Sequence, residues 1–387
     1  MDFGLSEELE QLRDMVRTWV ERNYPKERAL ELEGRVGRFP QELWNDLSTA
    51  GFHAIGIDEA YGGQGGDVLT QVVVARELAR SLAGLTWVWG ISSFAGGKSI
   101  GLYGTEEQKQ RFLPSLAAGS LKVAIALTEP GGGTDVLGAM RTRADRTDDG
   151  WVVNGSKIWS TAAESSDYLL TLVRTEQEVA KPTRGLTLLL VPRDAPGLEL
   201  RAIPKLGMRA ISSYEVFLDN VDVPDELVLG EPGRAWYQLL GTLNNERIVL
   251  AALSVGILDG VIEEALSYVQ DREAFGGPIG RFQALQHAIA DMLIKRKTAE
   301  LLVFDAAMKQ SQGVECGREA NMAKLTASES ANWAADTGIQ LMGGMGYSME
   351  TQFQRYWRDS RIYRIAPIAN EMVKNTLAES VGLPRSF

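Results

Sequence analysis

Few side chains in this 387-residue chain could carry chemistry, and their types narrow what that chemistry is. Cys316 is the single cysteine, so neither an internal disulfide nor a multi-cysteine zinc site can form. The two histidines, His53 and His287, lie far apart in sequence. That argues against a Ser-His-Asp triad or a three-histidine metal site, although one histidine could act alone. Any enzyme built on this chain must then work mainly through carboxylates or a bound cofactor. The segment "LNNERIVLAALSVGIL" is the first candidate: Glu246 and Arg247 stand side by side, and no charged residue follows from Ile248 to Leu258. Two readings fit. A helix could start here, with Asn244 or Asn245 as its cap and Glu246 favoured by the helix dipole. Alternatively, Glu246 is a catalytic carboxylate and Arg247 a cation that anchors a ligand.

Glycine clusters supply further candidates. "TEPGGGTD", Thr128 to Asp135, follows the strand-like "VAIAL" and offers backbone N–H groups beside two threonine hydroxyls. Such a turn can cradle a phosphate or hydrogen-bond the rim of a ring system, and a plain β-turn explains its glycines equally well. In "WST", the Trp159 indole and the Thr161 hydroxyl could flank a flat cofactor, with core packing as the plainer explanation. No GxGxxG follows a strand, which excludes a Rossmann fingerprint. "GISSFAGGKS" misses the Walker A spacing and reads as a helical turn and connection. The basic triplet Lys295-Arg296-Lys297 reads as a solvated helix face, with a phosphate contact as the alternative.

These candidates need elements to hold them. The first block, residues 1–120, carries apolar residues at helical spacing, as in Leu5, Leu9, Leu12, Val16 and Val20. Thr105 and Gln108 have the spacing of a capping box. Residues 121–233 change period to short β-branched and aromatic runs, with Asp149-Gly150 and Asn154-Gly155 as turn signals. Residues 234–387 return to long helices. The expected fold is α+β: an N-terminal all-α domain, a middle antiparallel β domain and a C-terminal four-helix bundle. A net charge of −11 argues against nucleic-acid binding. No apolar run is long enough to span a bilayer and the N-terminus is acidic and amphipathic, so a soluble cytoplasmic protein is expected.

Taken in order, "ALTEPGGGTD", "NGSKIWST", "KLGMRAISS", "VFLDNVDVP", "DREAFGGPIGRFQALQ", "IQLMGGMGY" and "RDSRIYRI" resemble the acyl-CoA dehydrogenase family of flavoproteins across nearly the whole chain. The resemblance implies FAD between the β domain and the bundle. Thr128 and Thr161 would hydrogen-bond the reactive edge of the flavin, and Trp159 would lie against it. Thr134 would sit near the cofactor phosphates or the substrate pantetheine. Arg272, Phe275, Gln340, Gly343 and Gly344 look like the family's contacts to the FAD of a neighbouring subunit, which implies a homodimer or homotetramer. The substrate would be an acyl-CoA or other acyl thioester, and the electrons would pass to an electron-transferring flavoprotein.

One departure matters. The family commonly carries its base in a Tyr-Glu-Gly-Thr segment after "RIYRI", and here Pro367 takes the place of the glutamate. Members resembling isovaleryl- and long-chain acyl-CoA dehydrogenases instead place a glutamate before an arginine on a bundle helix, which is where Glu246-Arg247 falls. Glu246 is then the expected base, and Asn244 and Arg247 the expected substrate contacts. A buried carboxylate suits the task, because desolvation raises its pKa towards working pH. Pro367 also lacks the N–H that would donate to the thioester carbonyl, unless it simply starts the last helix and a neighbour donates. Ala369 and Glu371 replace residues that usually help bind FAD, and Glu371 is a lesser candidate for a displaced acid. The alternatives are a flavin monooxygenase, an enoyl-CoA reductase, and a thioester- or FAD-binding protein without turnover.

Overall fold

The amphipathic pattern of the first block yields helices where a cap can start them. In this computed structural model, which describes residues 5–92 and 96–385, part of "GISSFAGGKS" lies outside the described residues. Helix α1, Glu7–Asn23, opens on the Ser6 side chain accepting from Leu9 N and buries Val16 and Val20. Helices α2, Lys26–Gly34, and α3, Gln41–Thr49, follow. The glycine loop before α4 holds Gly62, Gly65 and Gly66 at positive φ, and Asp67 caps α4, Val68–Leu82. Short α5, Trp87–Ser92, and α6, Lys98–Tyr103, lead to α7, Glu106–Ala117, where Thr105 and Gln108 form the expected capping box.

The middle block forms one sheet. Its strands are β1 (Val123–Ala126), β2 (Arg143–Arg146), β3 (Gly150–Thr161), β4 (Tyr168–Arg174), β5 (Leu186–Pro192), β6 (Leu198–Ile203), β7 (Ser213–Pro224) and β8 (Val228–Leu229). The spatial order is β6-β7-β3-β2-β4-β5-β8, with β1 against β4. Most pairings are antiparallel, but β1 and β4 run parallel, as does the brief β2–β4 contact. Parallel neighbours need a long connection, and the β2–β3 hairpin supplies it. Asn154-Gly155 makes no turn: Gly155 lies inside β3 at φ +149°, where the register with β7 shifts. A Cβ there would meet Thr142 Cα at 2.5 Å, so the glycine permits close approach.

The last block contains α8 (Ala235–Asp271), α9 (Gln283–Ser311), α10 (Gly317–Met342), α11 (Gln352–Arg361) and α12 (Asn370–Glu379). Helices α8, α9 and α10 pack on one another, α12 packs on α10, and α4 from the first block lies along α8 and α9. The α4–α8 crossing depends on glycine: a Cβ on Gly256 would sit 2.1 Å from the Arg76 carbonyl oxygen, and one on Gly260 2.3 Å from that of Arg80. One apolar core therefore joins both helical blocks, while a second fills the sheet beneath α7. Among the described residues, no helix is long and apolar enough to cross a membrane.

The loop from Pro204 to Ser212 wedges the sheet against the helices. Met208 N donates to Asp359 at 2.7 Å, Arg358 donates to the Leu206 carbonyl at 3.3 Å, and Arg209 and Arg358 both pair with the buried Glu33. Buried charges are tolerated here because each meets an opposite charge or several donors.

Candidate active site

Glu246 lies about three turns inside α8, which starts at Ala235. The helix-start explanation of Glu246-Arg247 therefore fails, and neither asparagine is a cap. Asn245 is buried, donating to Gln71 at 3.0 Å, while Asn244 accepts from Arg247 at 3.1 Å. An acid in mid-helix at the edge of an apolar run needs another reason to be there. Glu246 is half-buried, and among the described residues it makes no hydrogen bond or ion pair. Burial lifts its carboxyl from 4.5 to about 7, opposed by the charge of Arg247. A group that keeps some contact with solvent yet is this desolvated sits in a recess, not on a convex face. Burial also lowers the pKa of Arg247, and its Nε is buried without a partner among the described residues.

Close enough to feel the charge of Arg247 lies a lysine that the sequence reading passed over. Lys324 on α10 is buried and donates to the Ile368 carbonyl at 2.6 Å and to Asn370 at 2.7 Å. Burial, and then the charge of Arg247, pull its pKa down to about 8. It thereby ties Arg247's surroundings to the loop carrying Pro367. Pro367 does not start the last helix: α12 begins at Asn370 with Ala369 as its cap. Glu371 is exposed in the first turn of α12, while the amides of Ile368 and Ala369 have no acceptor among the described residues. A lysine within the small-residue run "NMAKLTASES" was the available signal for Lys324.

The sheet presents a second group. Ile158 N donates to the Thr128 carbonyl at 2.8 Å, stitching the glycine loop to β3. Beneath it Glu129, buried, accepts from Arg141 N at 2.6 Å, Thr142 N at 2.9 Å and Lys157 Nζ at 2.8 Å. Burial raises the Glu129 pKa, but Lys157 and the Thr142 donors outweigh it and hold the group ionised. Glu129 and Lys157 were also missed, although charges inside such apolar segments were a usable clue. Trp159 sits at φ +64° where the β3–β7 register shifts between Lys157 and Ser160, and its side chain is 53% exposed. A non-glycine residue in that conformation is held by its surroundings, and here the result is an indole turned outward. Two residues on, Thr161 Oγ1 lies 2.9 Å from Ser213 Oγ. Thr134 is exposed at the end of the glycine turn.

Arg272, Phe275, Gln340, Gly343 and Gly344 gather elsewhere. Arg272 ends α8, and Phe275 projects 90% exposed at φ +55°. Tyr268 Oη donates to the Met342 carbonyl at 3.2 Å, bringing this turn beside Gly343 and Gly344 at the end of α10. Gln340 is exposed in the last turn of α10. A helix rises 1.5 Å per residue, so Arg272 stands roughly 40 Å along α8 from Glu246. One chain therefore separates this group from its own Glu246 by more than a single ring system spans. An outward indole, the hydroxyls of Thr128, Thr134 and Thr161, and a glycine turn open enough that a Cβ on Gly131 or Gly133 would touch nothing fit a flat, phosphate-bearing cofactor, while the turn at Gly343 and Gly344, equally open, stands apart from them.

Family models for the acyl-CoA dehydrogenase N-terminal, middle and C-terminal domains match residues 6–120, 124–221 and 233–382. "Acyl-CoA dehydrogenase FadE12" of Mycobacterium tuberculosis (strain ATCC 25618 / H37Rv) is 35% identical over 385 residues, covering 99% of this chain and 98% of its own. The structure of butyryl-CoA dehydrogenase from Megasphaera elsdenii superposes with a TM-score of 0.93 at 31% identity, covering 98% of this chain and 100% of that one. A chain solved under the description "Electron transferring flavoprotein of Acidaminococcus fermentans" has the same TM-score and identity, covering 99% of this chain and 100% of that one.

Proposed function

The chain belongs to the acyl-CoA dehydrogenase family and is an FAD-dependent oxidoreductase, and from that premise we propose that it desaturates the α,β bond of an acyl-CoA thioester with Glu246 as its base. The observation that carries this reading is the Glu246 carboxyl, half-buried in mid-helix without a partner and lifted to about 7. Such a carboxylate is ionised in part at neutral pH and basic enough to take the proton α to a thioester carbonyl. Bound FAD supplies the two-electron acceptor for the β carbon. Thr128 and Thr161 hydrogen-bond its reactive edge, the Trp159 indole covers that edge, and Thr134 faces the phosphates or the pantetheine.

Arg247 and Asn244 act as a unit beside the base. The buried, unpartnered Nε of Arg247 is a donor waiting for an acceptor on the substrate. The N–H that Pro367 lacks is replaced by the amides of Ile368 or Ala369, in a loop held by Lys324. Arg272, Phe275, Gln340, Gly343 and Gly344, too distant along α8 to serve the same flavin as Glu246, contact the FAD of a neighbouring copy in a homodimer or homotetramer. An electron-transferring flavoprotein takes the electrons onward.

Anaerobic titration with a panel of saturated acyl-CoAs, following flavin absorbance, tests the reading. Bleaching by one chain class, lost in a Glu246→Gln variant that still binds FAD, is expected. Bleaching that persists in that variant removes Glu246 from its role, and no bleaching by any member removes the proposed reaction.

A further inference from the structure

We propose that Lys205, acting through Ser213, fixes the direction in which the Thr161 hydroxyl gives its hydrogen, and so biases the flavin site towards the oxidised cofactor. The inference rests on the reading of Thr161 as a contact to the flavin's reactive edge.

Three side chains form a line. Lys205 Nζ lies 3.1 Å from Ser213 Oγ, and Ser213 Oγ lies 2.9 Å from Thr161 Oγ1. Thr161 and Ser213 are Cα partners across β3 and β7, so their side chains share a face. On its other flank Ser213 pairs with Ile203 at the end of β6, two residues before Lys205. Ser213 is only 3% exposed, which leaves little room for water to enter the line.

The identity of the first member sets the polarity. An ammonium has three donors and no acceptor, so Ser213 Oγ must accept from Lys205. The single hydroxyl hydrogen of Ser213, buried and with no other acceptor among the described residues, then goes to Thr161 Oγ1, the arrangement that leaves it satisfied. Thr161, having accepted from Ser213, turns its own hydrogen outward. Burial draws the Lys205 pKa down to about 8, opposed by Asp359 and Glu33, so at neutral pH the ammonium form holds. Lys205 is also held in place: the anchors of the Pro204–Ser212 loop at Leu206, Met208 and Arg209 follow it directly.

A hydrogen presented outward suits one redox state. The ring nitrogen at the reactive edge of oxidised flavin has a lone pair and accepts; reduction with protonation makes it a donor. To accept from the reduced form, Thr161 would have to use its second lone pair or turn its hydrogen back to Ser213, and either arrangement leaves one hydroxyl hydrogen of the pair without an acceptor in the line. Lys205 is thus a positioning residue. Its charge pulls the other way, since a cation favours the more negative reduced flavin. Ser213→Ala separates the two effects by breaking the line while keeping the charge.

The midpoint potential and visible spectrum of the bound flavin, measured on FAD-replete wild-type protein and variants, decide the matter. Ser213→Ala should weaken oxidised relative to reduced FAD binding about tenfold, an upward shift of ~30 mV for a two-electron couple. Lys205→Arg, which keeps a donor-only cation, should leave the potential near the wild-type value. If the alanine variant does not fold, Ser213→Cys, a weak donor and acceptor, gives the same readout. An unchanged potential in Ser213→Ala, beside a Thr161→Ala variant whose potential and spectrum move, overturns the relay but leaves Thr161 at the flavin. A Thr161→Ala variant with neither quantity changed overturns both readings, and a Lys205→Arg shift as large as that of Ser213→Ala overturns the donor argument.

Discussion

The Glu246 pKa makes a prediction that an ordinary surface carboxylate would not share. Burial lifts it from 4.5 to about 7, so ionising the group costs roughly 3 kcal/mol more in the fold than in water. If Glu246 is the base of the free enzyme, kcat/KM follows its ionised fraction. That fraction falls about tenfold between pH 8 and pH 6 for a pKa of about 7, and by only about 3% for a pKa of 4.5. Stability should carry the same signature with a defined sign. The folded pKa is raised, so the protonated group is compatible with the fold at low pH, and stability is lost as pH rises through about 7. Glu246→Gln removes a group that must ionise, so the cofactor-free variant should match wild type near pH 4 and exceed it by up to roughly 3 kcal/mol near pH 8. Initial rates with a reactive acyl-CoA across pH 5.5–9, and urea unfolding of both proteins at several pH values, supply the two curves. A flat rate profile from pH 6 to 8, or a stability difference that does not grow with pH, would refute the assignment of a desolvated base at Glu246.

Four further outcomes follow from the packing and the site. Gly256→Ala places a methyl against the Arg76 carbonyl and should cost about 1–3 kcal/mol despite alanine's better helix propensity, read as a lower melting temperature. Glu129→Gln leaves the buried Lys157 without its counter-charge; a loss on the order of 3–5 kcal/mol by denaturant unfolding, with weaker FAD retention, is expected. Phe275→Ser should lower both the assembly state by light scattering and FAD content, whereas a fully loaded, normally assembled variant would remove Phe275 from a subunit contact. Pro367→Gly should keep turnover within about threefold, because the base stays on α8 and Lys324 still holds the Ile368 and Ala369 amides; a fall of 10²-fold would show that Pro367 itself is needed to place those donors.

Periodicity made the helices legible and also revealed the change to strands near residue 121, since both signals are local. What escaped depends on contacts between distant segments. The α4–α8 crossing is built on Gly256 and Gly260, which contribute by having no side chain and so leave no mark in an apolar pattern. Asn154-Gly155 signalled a turn because the same dipeptide that suits a hairpin also suits a register shift. Glu246 stood out because a charge interrupts an otherwise apolar stretch, but Asn244 and Asn245 before it imitate a cap, and only the full length of α8 separates the two readings. Lys324, Glu129 and Lys157 resemble any surface charge until their partners, Ile368, Thr142 and one another, are brought in from afar.

The shared core of the two helical blocks also has a consequence in time. Helix α4 finds its largest partner in α8, whose first residue lies about 150 positions after Leu82 in the chain; at ~5–20 residues per second that is roughly 8–30 s of synthesis. During that interval Val72, Val74, Ala75 and Ala79, all buried in the finished protein, lack the long helices that cover them and have only the first-block helices and the residues just after Leu82 to lean on. The sheet needs no such wait, because its strands are contiguous in the chain and it closes before α8 emerges. The newborn chain therefore carries a closed sheet in its middle and an unfinished beginning until α8 arrives.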